Sequence, residues 1–467
     1  MPITPHGSSD IADDDVWKAG PSYLASNKPL ARLVARPIRE FLRVETAGSV
    51  LLLLAAAIAL LWANSPVASS YDTFWHTPLG IDFGSVGIEQ TLQHWVNDAL
   101  MVIFFFVVGL EIKYELVSGD LRDPKTAALP IVAAIGGMVV PAAIYIAVTG
   151  FGEAGRGWGI PMATDIAFAV GVIGLLGRRI PSAARLFLLT LAIVDDIGAI
   201  IVIAVFYTDE LDLWWLALAI ALLGVMIVLR KLRVWSVPAY IGIGVVLWFA
   251  LFQSGVHATL AGVAIGLITP ARALLNEDVA RSYARTALAD QHLDPDELGR
   301  LRFLIAESVP MVERLQTTLH PLSAYVALPL FALANAGVSL DGFGEAVTSP
   351  VSLGIIGGLV LGKPLGIVLA SFIAVKLGLG RLPDRTSWAM ITGLGAIAGI
   401  GFTVSLFIAG LSFPESQALT DDAKIGIIVA SVVAALVGVV VLLLATDGAS
   451  EDADEDADED AAEEAVT

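Results

Sequence analysis

Apolar runs about as long as a bilayer is thick recur along nearly the whole chain, and few folds accommodate that pattern. A spanning helix needs about 20 mostly apolar residues. Twelve segments qualify, near 46–63, 95–116, 126–149, 159–177, 183–207, 212–230, 235–253, 255–270, 321–340, 351–377, 387–411 and 423–445. Hydrophobic residues make up 56% of the chain and charged residues 16%, against about a quarter charged in soluble domains. Inside hydrocarbon every backbone polar group must be satisfied within its own span, which helices do. The expectation is an all-α polytopic membrane protein of about 12 transmembrane helices.

Loop charge supplies an independent check. Residues 64–93, 208–213 and 341–350 carry no Lys or Arg, and 150–157 carries only Arg156. The alternate loops hold Lys113, Arg122 and Lys125, then Arg178, Arg179 and Arg185, then Arg230, Lys231 and Arg233. Further basic groups follow from Arg272 to Arg314 and at Lys376, Arg381 and Arg385. This alternation follows the positive-inside rule, and an even span count puts both termini in the cytoplasm. Residues 1–45 are polar, with Lys28, Arg32, Arg36, Arg39 and Arg43 before the first apolar run. They read as a cytoplasmic tail, with no cleavable signal peptide visible.

The formal charge of −19 is concentrated at the other end. Between Glu451 and Glu464 stand ten acids and no base, so the remainder carries −9. Residues 446–467 are therefore expected to form an acidic disordered tail. Cys is absent, which excludes disulfides, thiol nucleophiles and thiolate metal sites. No phosphate-binding loop or redox-cofactor motif is present, and the expectation is no cofactor, no nucleic acid and no enzymatic activity.

Two hydrophilic segments interrupt the membrane domain, 46–445. The first external loop has a short alternating run around Phe83, Gly84 and Ser85, consistent with a β-hairpin over 76–90. The cytoplasmic stretch 271–320 contains Asp294 as a helix cap before Pro295. Leu298, Leu301, Ile305, Val309, Val312 and Leu315 follow at helical spacing, which predicts an amphipathic helix kinked or ended by Pro310.

Ionisable groups within the apolar runs carry the functional signal, because each costs about 2.5–3.5 kcal/mol at a helix centre. They are Asp98, Asp165, Asp195, Asp196, His257 and Lys363, with Glu111 and Glu115 near a cytoplasmic helix end. Asp195 and Asp196 are adjacent in TLAIVDDIGAIIVIAVFY. Neighbours on a helix diverge by about 100°, so one acid faces a cavity while the other meets a partner. Two such carboxylates titrate as a coupled pair that holds protons or a hard cation, with full occupation by both disfavoured. The bland alternative is a structural pair at a helix contact.

Lys363, in GGLVLGKPLGIVLASF, needs a carboxylate, with Asp195 and Asp165 available. The segments GIPMATDIAFAVG and GAIAGIGFTVSLF look like interrupted helices at matching places in two halves of the chain. Asp165 could balance positive helix N-termini there and Lys363 negative C-termini. His257 is either a packing residue or a pH-responsive group.

Assembled, these residues closely resemble the NhaA family of bacterial Na⁺/H⁺ antiporters. The likeness covers most of residues 40–445, through WVNDALMVIFFFVVGLEIKYEL, MATDIAFAVGVIGLLG, LAIVDDIGAI, GVHATLAGV, LHPLSAYVALPLFALANAGVSL, GKPLGI and GIGFTVSLFIAGLSF. It implies an NhaA-like fold of inverted repeats with two crossing interrupted helices, and NhaA is itself one of the examples behind the inverted-repeat rule.

By motif, Asp196 corresponds to the principal Na⁺ and proton carboxylate, and Asp195 to the acid beside it that pairs with the lysine matched by Lys363. Thr164 corresponds to a possible oxygen ligand, and Asp165 to the acid at the helix crossing. Asp98 matches an acid on the second helix, Glu111 and Glu115 a cytoplasmic funnel, and His257 a histidine implicated in pH response. The resemblance further implies Li⁺ as an alternative cation, electrogenic exchange, a location in the bacterial inner membrane, and a homodimer through the 76–90 hairpin. Gln316 and Thr317 stand where the family often has an acid followed by histidine, and the 271–313 loop is long, so the family's pH profile does not transfer.

Two rival classes share some of these features. Intramembrane aspartyl proteases use two membrane aspartates, but they carry a GxGD-type motif, whereas these acids lie in ATDIAF and IVDDIG. A Na⁺-coupled symporter would require an organic solute.

Overall fold

The computed structural model describes residues 47–82, 87–208, 211–232, 237–289 and 294–464. The N-terminal tail, the hairpin tip at 83–86 and Arg233 lie outside the described residues. The described chain is overwhelmingly helical. Six helices are long and apolar enough to cross a membrane, or up to nine when each bent pair counts as one span. The chain is thus a multi-pass membrane protein, although fewer than twelve segments pass that test among the described residues.

The shortfall has local causes. Residues 255–259 form turns, so the 255–270 candidate keeps only the nine-residue helix Leu260–Ile268. The 95–116 candidate divides into a π turn, Val96–Leu100, and the 17-residue helix Met101–Val117. The 321–340 candidate does pass, as part of a longer element, Met311–Asn335, whose first turns occupy what the sequence assigns to the cytoplasmic loop.

Pro310 explains that shift. It is the N-cap of the helix beginning at Met311, while the preceding helix ends at Glu307. Pro lacks the N–H that a continuous helix would need there. The expected single amphipathic helix is therefore two, with Leu298, Leu301 and Ile305 on Pro295–Glu307 and Val312 and Leu315 on the next. Asp294 caps the first as the sequence predicts, accepting from Glu297 N at 2.7 Å. In the external loop, strands Pro78–Asp82 and Gly87–Thr91 pair antiparallel, with Leu79 opposite Gln90.

The last helix runs from Gln417 to Glu464.

Two close helix pairs frame the interior. Gly136 on Pro124–Thr149 lies against Gly366 on Lys363–Lys376, where either Cβ would meet the other's backbone. Gly109 on Met101–Val117 lies against Val263 and Gly266, and a Cβ there would sit 2.8 Å from the Val263 carbonyl oxygen. Small residues allow such approach, and dispersion and close packing then hold helices together where lipid removes the hydrophobic driving force. Most buried side chains form one core, while Ala219, Met226, Leu247, Ala250, Leu251 and Ala261 form a second, between Leu213–Lys231, Val237–Gln253 and Leu260–Ile268.

Candidate ion-binding site

Two broken helices meet at the centre of the main core. The 3₁₀ segment Glu153–Met162 and the helix Ile166–Leu176 are bent by 41°, and Trp388–Ala398 and Phe402–Ser412 by 47°. Pro161 cannot donate from its backbone and the β-branched Thr164 disfavours helix, whereas Gly399 and Gly401 weaken the second chain at the matching place. The extended residues bond to each other, with Asp165 N donating to Ile400 O at 2.7 Å. Backbone freed from helical pairing is thereby satisfied inside protein.

Asp165 sits where two helices begin. Its Oδ1 accepts from Phe168 N at 3.0 Å, capping Ile166–Leu176. Its Oδ2 accepts from Thr403 N at 2.9 Å and Thr403 Oγ1 at 2.6 Å, at the start of Phe402–Ser412. One carboxylate thus faces two positive helix ends. Lys363 faces the opposite pole, since its Nζ donates to the carbonyl of Met162, the last residue of the 3₁₀ segment.

The same ammonium pairs with Asp195 Oδ2, and both side chains are fully buried. Of the two partners open to Lys363 from sequence, the structure selects Asp195. Thr164 Oγ1 lies 2.7 Å from Asp195 Oδ2 and 2.9 Å from Ala398 O. Lys363 is carried to this point by a π turn, Gly357–Gly362, immediately before it. Such wide turns accommodate the missing N–H of the following Pro364.

Asp196 is arranged differently. It is 5% exposed, and its Oδ1 is buried without a hydrogen-bond partner, as is Asp195 Oδ1. Buried polar atoms are nearly always paired, so two orphaned carboxylate oxygens on adjacent residues mark a place for a proton or a cation. Among the described residues no group of three or more His, Cys, Asp or Glu could hold a metal. A cation here would depend on two carboxylates, the Thr164 hydroxyl and backbone carbonyls, a hard-oxygen set suited to Na⁺ or Li⁺.

The remaining sequence candidates lie apart. Glu111 is near enough to repel Asp196 and accepts a hydrogen bond from Gln316. Glu115 Oε2 accepts from Asp120 N at 2.9 Å, supporting the turn after its helix. His257 Nε2 lies 2.5 Å from Tyr207 O, just past the end of the aspartate-pair helix Ser182–Phe206. That is the face opposite to Glu115 if successive helices alternate in direction. Asp98 occupies the π turn Val96–Leu100, where its backbone carbonyl accepts from Trp248 Nε1 at 2.8 Å. The Met162, Ala398 and Ile400 carbonyls were not legible as site groups, because backbone exposure depends on where the helices break.

The family profile described as Na⁺/H⁺ antiporter 1 matches residues 39–442. The chain is 50% identical over 401 residues to Na(+)/H(+) antiporter NhaA 3 of Frankia alni, covering 85% of this chain and 86% of that one. It is 45% identical to Na(+)/H(+) antiporter NhaA 2 of Sorangium cellulosum, covering 90% and 92% of the two chains. It is also 45% identical to Na(+)/H(+) antiporter NhaA of Oleidesulfovibrio alaskensis, covering 87% and 93%. With this match over most of its length, and with its paired aspartates, buried lysine and two bent helix pairs, the chain belongs to the Na⁺/H⁺ antiporter 1 family.

Proposed function

We infer that the protein exchanges Na⁺ for protons across a bacterial cytoplasmic membrane, exporting Na⁺ at the expense of the proton gradient. The carrying observation is the pair of orphaned, buried oxygens on Asp195 and Asp196. Asp195 is held by Lys363 and Thr164, which leaves Asp196 as the carboxylate that takes the ion. Na⁺ bound there would use Asp196, Asp195, Thr164 and nearby carbonyls. Its charge disfavours protons on the same carboxylates, so cation and proton compete for one site.

Alternating access supplies the cycle. Rocking of one helical body against the other exposes the loaded site first to one face and then to the other. Exchange is electrogenic if more protons than Na⁺ ions move per cycle, as the family resemblance implies. Li⁺ fits the same ligand chemistry. Asp165 and Lys363 compensate the helix ends at the crossing, Glu111 and Glu115 line the cytoplasmic approach, and Asp98 and His257 influence the response to pH. Both termini are cytoplasmic, and the hairpin formed by 78–82 and 87–91 joins two copies in a homodimer.

Purified protein in proteoliposomes with an acidic interior provides the test. Adding external Na⁺ or Li⁺ to a pH-sensitive dye assay should dissipate the gradient, whereas K⁺ should not. A gradient indifferent to Na⁺ and Li⁺ at every pH would remove the assignment.

A further inference from the structure

The 3₁₀ half of the first broken helix, Glu153–Met162, is ten residues long and contains Gly155, Gly157 and Gly159. Its geometry is poor for so long a run, and its glycines contribute no side-chain packing. Something outside the segment must therefore fix its position. At the site end, Ser405 Oγ donates to Ile160 O at 2.7 Å and Lys363 takes the Met162 carbonyl.

The other end is held by two buried phenols from different helices. Tyr145, on Pro124–Thr149, donates from its hydroxyl to Ala154 O at 2.7 Å. Tyr207, at the end of Ser182–Phe206, donates to Arg156 O at 2.7 Å and accepts from Gly159 N at 3.2 Å. The glycine spacing fits these anchors. A Cβ at Gly157 would collide with the Tyr145 hydroxyl, and one at Gly159 would lie 2.8 Å from that of Tyr207. Trp158 between them packs edge-on against Phe206, with ring centroids 5.0 Å apart.

We propose that Tyr145 and Tyr207 are positioning residues for transport, clamping the glycine-rich half-helix so that Met162 presents its carbonyl to Lys363. That carbonyl helps orient the ammonium that holds Asp195, which in turn leaves Asp196 to the ion. Tyr207 has a second attachment, because its own carbonyl meets His257 in the turn before Leu260–Ile268. The clamp thereby links the ion-binding core to the smaller helical body.

The transport part rests on the Na⁺/H⁺ exchange reading, so the test has one arm that does not. Tyr207→Phe and Tyr145→Phe keep the rings and remove the hydroxyls. Tyr145→Phe loses one hydrogen bond to the segment and Tyr207→Phe two; each should raise the apparent KM for Na⁺ in proteoliposomes at least about threefold, more for Tyr207→Phe, with Vmax retained. Amide hydrogen exchange should quicken across 153–162 and stay unchanged in the helix Lys363–Lys376. An unaltered KM, or exchange that rises equally in both segments, would overturn the proposal. If Tyr207→Phe does not fold, Tyr145→Phe decides it alone. Wild-type protein without Na⁺-dependent exchange would sink the transport reading, while the amide data would still decide whether the clamp exists.

Discussion

Asp195 and Asp196 differ in role because one helix turns each toward different surroundings. Asp195 meets Lys363 and Thr164 through Oδ2, whereas Asp196 has no such ion pair among the described residues; each keeps an Oδ1 with no partner. Removing Lys363 would leave Asp195 charged, or force it to take up a proton, in a fully buried position. Breaking a buried pair in this way costs about 3–5 kcal/mol, so Lys363→Met should markedly lower the thermal midpoint in detergent. Neutralising both partners, as Lys363→Met with Asp195→Asn, should recover most of that loss, because apolar or neutral replacements of a whole pair are often tolerated. A single variant as stable as the parent would show that the ammonium contributes nothing to the fold. Sequence revealed these acids through the cost of charge in a membrane, but offered Lys363 two partners. Only the π turn before Pro364 and the unwound chain at Met162 decide which is reached.

The helices pack through glycines where backbones touch, and the same residue type is dispensable elsewhere. Gly366 faces Gly136 directly, while Gly224, on Leu213–Lys231, has nothing near its missing side chain. Gly366→Leu should push apart the helix carrying Lys363 and cause loss of folded protein in size-exclusion chromatography. Gly224→Ala should be neutral or stabilise by about 0.5–1 kcal/mol, because Ala costs less chain entropy in a helix. Equal behaviour of the two variants would contradict this account of the packing. Most helices were legible from their apolar runs; the hairpin's strands, Pro78–Asp82 and Gly87–Thr91, flank the alternating run at 83–85, which lies outside the described residues. The break at Pro310 was legible from the proline itself, whereas the turn at 255–259 was not, because hydropathy continues across it while helical hydrogen bonding does not.

At the scale of the whole molecule, two features bear on assembly and transport. The hairpin is a two-stranded sheet among the described residues, and unpaired strand edges are templates for pairing with another chain. Deleting 79–90 should reduce cross-linked dimer in membranes while each protomer retains Na⁺-dependent exchange; undiminished dimer would place the interface elsewhere. The broken helices bring two helix N-termini, the carbonyls of Met162, Ala398 and Ile400, three acids and a lysine together. That both segments are interrupted was visible in the sequence, whereas the bond between Asp165 N and Ile400 O needed the folded chain.

Competition between Na⁺ and protons at the aspartate pair is the central claim, and proton release on Na⁺ binding measures it most directly. Detergent-purified protein in weak buffer should acidify the medium when Na⁺ is added. Apparent Na⁺ affinity should weaken as pH falls, because protonated carboxylates must give up protons before the ion can bind. Asp196→Asn should release none. Na⁺ binding without proton release, or release from Asp196→Asn equal to the parent's, would contradict it.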